Sequence, residues 1–245
     1  MIPQKIISLV PSLTELIIDL GLEKKLIGRT RFCIHPEQVV SGIPVVGGTK
    51  NPNLEKIFEL NPDLIIANKE ENRKEDIELL RETFMTVVTD ISSVEDALLA
   101  IYELGAICGA EKRSEKLTNA IQAELKDVPS EPALDAAYFI WKDPWMTVGR
   151  DTYIHSVMEH FHLKNIFKDR TRYPVVTLQE VEAHQPDIIL LSSEPYPFKE
   201  KHIEVIEEEC KSSKAVLVNG EWFSWYGSRM LSSFQKLKMF RKAIS

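Results

Sequence analysis

The chain has 245 residues, of which 44% are hydrophobic and 27% charged, so it can bury a substantial core in one large or two modest domains. A net charge of −7, with no Lys/Arg-rich block, excludes strong attraction to nucleic acid or anionic lipid. No stretch reaches the roughly 20 apolar residues that span a bilayer, and the three cysteines show no CxxC spacing, so we expect free thiols.

The first half alternates predicted strands with predicted helices. "KIISLV" is an apolar run that ends at Pro11, and Ser12 with Glu15 has the spacing of a capping box, which predicts a helix beginning there. Gly21 is suited to ending that helix. The strand-like runs "IPVVG", "DLIIAN" and "MTVVTD" then alternate with the helical patterns "NLEKIFEL" and "RKEDIELLRETF".

The second half has the same organisation. It runs through "AAYFIW", "TYIHSVMEHF", "TLQEVEAH", "DIILLSS" and "AVLVNG" to a closing helix from about Arg229. Alternating strands and helices predict parallel sheets covered by helices in each half.

One phrase occurs twice. "LNPDLIIANKEE" (Leu60–Glu71) returns as "HQPDIILLSSEP" (His184–Pro195) at an offset of 124 residues, which aligns Asp63 with Asp187 and Glu70 with Glu194. This match predicts two related lobes.

The connection between the halves contains no flexible linker. Leu117, Ile121 and Leu125 recur on one helical face between Glu111 and Lys126. We therefore predict an N-terminal α/β lobe at residues 1–108, a connecting backbone helix at 109–130 and a C-terminal α/β lobe at 131–245.

Several segments together resemble the helical-backbone substrate-binding proteins of ABC importers, the group that binds cobalamin, haem and ferric siderophores. They are "IISLVPSLTELIIDLGL", "VGGTKNPNLEKIFELNPDLIIA", the helical connector and "TVGRDTYI" followed by "NIF". The resemblance implies two Rossmann-like α/β lobes joined by one long helix, with a metal chelate held in a cleft between them. It also implies an ABC transporter permease as partner, and we expect a monomer with no intrinsic cofactor, whose bound ligand contains cobalt or iron.

Aromatic residues crowd the loops after two predicted strands of the second half. The four tryptophans lie in "IWKDPWMTVG" and "GEWFSWYGSR", and loops at the carboxyl ends of strands often bind ligands. Flat aromatic rings suit a macrocycle or a catecholate chelate, although the same rings are also typical of a lobe core. The candidate ligand residues of this group are Trp141, Trp145, Trp222, Trp225 and Tyr226.

"RFCIHP" is the corresponding ligand loop that the resemblance implies in the first lobe, with Phe32, Cys33 and His35 as candidates. Cys33 and His35 are also weak candidates for axial metal ligands, although packing in the loop is the competing interpretation. Arg31, Arg150 and Arg229 can clamp ligand carboxylates, or can instead form surface ion pairs.

The acidic residues after the repeated strands are candidates for permease docking. The resemblance implies one acidic residue on each lobe, and Glu70 and Glu194 occupy equivalent positions. Glu71 and Glu75 are rivals in the first lobe, where a solvated helix start also explains the acidic residues.

Two other functions stay open from the sequence. The chain shows no GxxxxGK[ST], HExxH, GxSxG or GxGxxG motif, so we expect no enzyme. An enzyme that uses Cys33 is the alternative to this expectation. The resemblance implies a periplasmic or cell-surface location. "MIPQKIISLVPSLTE" does not have the pattern of a signal peptide, so a cytosolic protein that binds a cofactor or metal chelate is the alternative.

Overall fold

The computed structural model describes residues 2–128 and 130–244, which form two compact units. Unit 1 comprises Met1–Ile91, Glu95–Ile121 and Tyr226–Arg229, and unit 2 comprises Ser92–Val94, Gln122–Trp225 and Met230–Ser245. None of the helices described is long and apolar enough to cross a membrane.

The first sheet has four parallel strands in the order β2-β1-β3-β4. They are β1 (Ile6–Ser8), β2 (Leu26–Arg29), β3 (Leu64–Asn68) and β4 (Thr86–Thr89). The helices of this half are α1 (Pro11–Asp19), α2 (Glu37–Val40), α3 (Leu54–Leu60), α4 (Lys74–Arg81) and α5 (Val94–Cys108), with a 3-10 helix at Glu23–Lys25. Strand β3 is buried along its whole length, as expected for a central strand between helical layers.

The second sheet has the same parallel arrangement, in the order β6-β5-β7-β8. Helix α6 (Glu111–Lys126) precedes β5 (Leu134–Phe139), β6 (Leu163–Asn165), β7 (Ile188–Ser192) and β8 (Lys214–Val218). The helices of this half are α7 (Tyr153–His160), α8 (Leu178–His184), α9 (Glu200–Glu209), α10 (Glu221–Ser224) and α11 (Met230–Ala243). The predicted two-lobe α/β class is thus confirmed.

The 124-residue offset extends to the ends of the equivalent helices α3 and α8. Asn53 caps α3 and Thr177 caps α8, each accepting a hydrogen bond from the main-chain N–H three residues later. Both helices then end on a non-glycine residue in the left-handed region, Asn61 with φ 47° and Gln185 with φ 48°. The repeated phrase therefore encodes the same helix, turn and strand in both units.

The aspartates of the repeat also have matching roles. Asp63 accepts hydrogen bonds from the main-chain N–H groups of Gln4 and Lys5 at 2.8 and 3.0 Å, and Asp187 accepts one from that of Asp135 at 2.8 Å. Each aspartate thus fixes the chain that enters the neighbouring strand, β1 or β5.

One face of each sheet packs into a core of its own unit. The first core includes Ile7, Leu9, Ile57, Ile65 and Leu80, and the second includes Phe139, Phe167, Val181, Ile189 and Ile206. All three cysteines are free, as predicted, and all three are buried.

Helix α6 (Glu111–Lys126) lies within the predicted range of residues 109–130, and Gly21 has the expected positive φ of 71°. The burial pattern of α6 differs in detail, because Ser114 and Thr118 are buried beside Ile121 while Leu117 and Leu125 are only half-buried. The sequence pattern identified the helix but not the polar residues that share its packed face.

Two local predictions were wrong. "IPVVG" makes only isolated bridges, one of them between Arg29 and Val45, because Pro44 has no N–H with which to continue a ladder. The capping box is also absent: α1 begins at Pro11, and Val10 provides no side-chain cap. The Glu15 carboxylate instead binds Arg229.

Candidate functional site

The loop that follows β2 exposes two apolar side chains. Phe32 and Ile34 are 53% and 51% exposed, and the Arg31 guanidinium lies 5.8 Å from the centre of the Phe32 ring. His35 in the same loop is half-buried. The loop therefore presents an apolar, singly charged tip at the carboxyl end of the first sheet.

Cys33 points the other way, into unit 1. Its side chain is fully buried, and its Sγ lies 3.0 Å from Thr14 Oγ1 and 3.2 Å from Thr30 Oγ1. Burial raises the pKa of this thiol, which disfavours the thiolate needed for metal binding or nucleophilic attack. This placement argues against Cys33 as a ligand, metal-binding or catalytic residue.

Within the described residues, no group of three or more His, Cys, Asp and Glu side chains is arranged to hold a metal ion. An axial role for His35 alone stays a prediction.

The loop after β5 divides its two tryptophans between surface and core. Trp141 is 40% exposed and meets Tyr196 edge-on at 5.6 Å. Trp145 stacks on Phe198 at 6.0 Å and contacts the Phe139 ring at 5.2 Å. Trp141 thus remains a ligand candidate, whereas Trp145 belongs with the core of unit 2.

The loop after β8 contains the short helix α10 and the other aromatic residues. Trp222 and Trp225 are half-buried. Phe223 is fully buried against Tyr138, with ring centres 5.0 Å apart, and Tyr226 is only 7% exposed. Trp222 and Trp225 therefore keep their candidate role, while Tyr226 is placed as a packing residue of unit 1.

Arg229 is bound within unit 1. Its Nε and Nη2 donate to the two carboxylate oxygens of Glu15 at 2.7 and 2.6 Å, and both side chains are largely buried. This bidentate pair occupies the guanidinium N–H groups that a ligand carboxylate would need. The expected ligand clamp at Arg229 is therefore replaced by an internal ion pair.

Arg150 is exposed, and its Nη1 donates to the main-chain oxygen of Asp169 at 3.2 Å. Its position allows contact with an external anion, so its ligand role stays a prediction.

The two repeated glutamates occupy equivalent turns. The N–H of Glu70 donates to Asn68 Oδ1 at 2.8 Å, and the N–H of Glu194 donates to Ser192 Oγ at 3.3 Å. Both glutamates are half-buried. Their shared position at the ends of β3 and β7 agrees with the sequence alignment, but docking by either one is untested.

The carboxylate of Glu194 is engaged within unit 2. Its Oε1 accepts hydrogen bonds from Ser224 Oγ at 2.6 Å and Trp225 Nε1 at 3.1 Å. No pattern in the sequence predicts this contact, because the partners lie about 30 residues downstream in a loop without periodicity. The Glu15–Arg229 pair was also not predicted, because the spacing of Glu15 from Ser12 was interpreted as a capping box.

Comparison with known proteins identifies the family. The family model described as periplasmic binding protein matches residues 6–216. The uncharacterized ABC transporter substrate-binding lipoprotein YvrC of Bacillus subtilis is 30% identical over 200 residues, which cover 77% of this chain and 63% of that protein.

A vitamin B12-binding protein of Pectobacterium carotovorum is 25% identical over 96% of this chain and 87% of its own length. The crystal structure of the periplasmic vitamin B12 binding protein BtuF of Vibrio cholerae superposes with a TM-score of 0.83 at 22% identity, covering 99% of this chain and 98% of that one. The family match, together with the two parallel α/β sheets, leads to one conclusion: the chain belongs to the periplasmic binding protein family.

Proposed function

We propose that this protein is the solute-binding component of an ABC importer, which captures a metal chelate and delivers it to a permease. It acts as a monomer, and the bound ligand contains cobalt or iron. Binding uses burial, ring stacking and a few polar contacts, with no chemistry on the ligand.

The observation that supports this function best is the near full-length similarity to a vitamin B12-binding protein, at 25% identity over 96% of the chain. The exposed or half-buried rings of Phe32, Trp141, Trp222 and Trp225 agree with it, because they offer flat apolar surface at strand ends.

The charge beside the tryptophan rings of unit 2 favours a corrinoid among the possible chelates. The Glu194 carboxylate lies beside Trp225 in that unit. A ferric tris-catecholate carries several negative charges, which this carboxylate would repel, whereas cobalamin has a rim of neutral amides. We therefore propose cobalamin or a related corrinoid as the ligand.

The test is calorimetric titration with cyanocobalamin, dicyanocobinamide, haemin and a ferric tris-catecholate. We expect a corrinoid to bind with micromolar or tighter affinity, which corresponds to about 8 kcal/mol or more. Trp222→Ala or Trp225→Ala should weaken binding by about 1 to 3 kcal/mol, because each removes an aromatic contact surface.

Phe161→Leu is the matched control, since this ring is fully buried against Phe234, outside the aromatic loops. It should lower the melting temperature with little change in affinity. If only haemin or the ferric tris-catecholate binds, that compound replaces the corrinoid as the proposed ligand. If none of the four compounds binds, the proposed function is contradicted.

A further inference from the structure

The carboxylate of Glu194 joins two loops that follow neighbouring strands of the second sheet. Glu194 belongs to the loop after β7, and its hydrogen-bond donors Ser224 and Trp225 belong to the loop after β8. A carboxylate that accepts an indole N–H fixes the ring plane as well as its distance, since the donor is rigidly part of the ring. The bond therefore selects one orientation of Trp225.

The loops are interlocked at a second place. The N–H of Gly220 donates to Ser193 Oγ at 3.0 Å. A Cβ at residue 220 would lie 2.4 Å from Ser192 Oγ and 2.5 Å from Glu194 Cγ, so only glycine allows this approach.

The base of the turn at Glu194 is itself anchored in the core. Ser192 Oγ accepts a hydrogen bond from the hydroxyl of the fully buried Tyr138 at 3.1 Å and donates to the main-chain oxygen of Glu194 at 2.6 Å. The main chain of Glu194 is thus bonded to the sheet through Ser192, and its carboxylate is bonded to the aromatic loop after β8.

We propose that Glu194 is a positioning residue that fixes the orientation of Trp225, so that the aromatic loop after β8 is preorganised for ligand. The consequence for ligand binding rests on the proposed function, whereas the effect on Trp225 does not. This role is distinct from permease docking, because it uses the carboxylate inside unit 2.

The expected size follows from preorganisation. Ordering one side chain on binding lowers the affinity by about twofold to tenfold. Glu194→Ala should cause a loss of this size. Glu194→Gln should recover most of it, because the amide oxygen still accepts from Ser224 and Trp225.

The first measurement needs no ligand. In protein labelled with 5-fluorotryptophan, the fluorine resonance of Trp225 is assigned by its disappearance in Trp225→Phe. We expect Glu194→Ala to shift or broaden this resonance, and Glu194→Gln to restore most of it. Glu200→Ala, which removes an exposed glutamate from α9 of the same unit, should leave the spectrum unchanged. An unchanged Trp225 resonance in Glu194→Ala overturns the proposal.

The second measurement is the affinity for cyanocobalamin in the same variants, with the melting temperature recorded to detect unfolding. In Trp225→Phe, which keeps a ring but loses the N–H, the further change Glu194→Ala should have little effect. Full additivity of the two changes, or an affinity in Glu194→Ala equal to that of the wild type, also overturns the proposal. If wild-type protein binds no chelate, the proposed function fails, and the fluorine spectra alone decide whether Glu194 positions Trp225.

Discussion

Glu70 and Glu194 lie at the same point of two equivalent units, two residues beyond β3 and β7, and their main-chain N–H groups bond to the last side chain of the preceding strand. Their surroundings then diverge. Lys50 Nζ donates to the main-chain oxygen of Glu70, whereas the side chain of Glu194 accepts from Ser224 and Trp225.

The difference teaches that the repeat specifies the backbone and not the use of each side chain. Helix caps, left-handed helix ends and strand-entry aspartates correspond at the 124-residue offset, because each is determined by a few neighbouring residues. The partner of a glutamate at the strand end depends on the next loop, and only the second unit has tryptophans there.

The largest expected effect comes from reversing both charges. If Glu70 and Glu194 meet permease arginines, the double variant Glu70→Arg with Glu194→Arg should abolish docking. The reason is that like charges brought together in an interface cost on the order of several kcal/mol. The comparison of the two glutamates predicts that the two single variants differ in their effects. Glu70→Arg should weaken docking and leave ligand affinity unchanged, whereas Glu194→Arg should weaken both docking and ligand binding. Transport by the reconstituted importer and calorimetry on the free protein measure the two effects.

Glu71→Arg and Glu75→Arg are the controls in the first unit, because they test the rival docking residues. Restoration of transport by a reciprocal Arg→Glu change in the permease would support the pairing. Intact transport in the double variant would remove both glutamates from docking.

The second prediction concerns the residues that follow the loop held by Glu194. Arg229→Ala should lower the free energy of unfolding by about 2 to 3 kcal/mol, because it leaves the Glu15 carboxylate largely buried without its bidentate partner. This loss is smaller than that for a fully buried pair, because both side chains keep some solvent contact. Urea unfolding at neutral pH measures it.

Arg150→Ala is the matched control, since this exposed side chain donates to a main-chain oxygen and should change stability by about 0.5 kcal/mol or less. In a double-mutant cycle, Glu15→Ala should cost little more in the Arg229→Ala background. Additive losses would show that the pair does not couple the two residues.

The sequence was sufficient where local chemistry decides the structure. The apolar runs of β3 and β7, and the helix from Glu111 to Lys126, follow from residues within one element. Strand β2 ("LIGR") and helix α5 were not identified, because the first is short and contains glycine and the second is apolar around most of its surface.

The candidate site was harder to predict because its side chains are sorted by tertiary packing. Cys33 and Phe32 are neighbours in sequence, yet one is fully buried and the other 53% exposed. Trp141 and Trp145 divide in the same way between surface and core. Composition identified these loops, but only the fold decides which side chain of each loop faces outward.

The smallest expected effect tests the pair Asp63 and Asp187, where the two units agree most closely. The main-chain N–H groups of Gln4 and Lys5 hold the pKa of Asp63 below its ordinary value of 3.8. The folded state thus favours the ionised carboxylate, so its stabilisation is present above pH 3.8 and is lost as the pH falls through the lower folded pKa. Asp63→Asn should therefore destabilise the protein at pH 7, and this destabilisation should become smaller towards pH 3, as measured by urea unfolding at both values.

Asp187→Asn is the matched control and should destabilise the protein less at pH 7, because Asp187 accepts one such N–H, from Asp135. An Asp63→Asn effect that is equal at both pH values would mean that the turn is held by hydrogen-bond geometry without a contribution from charge.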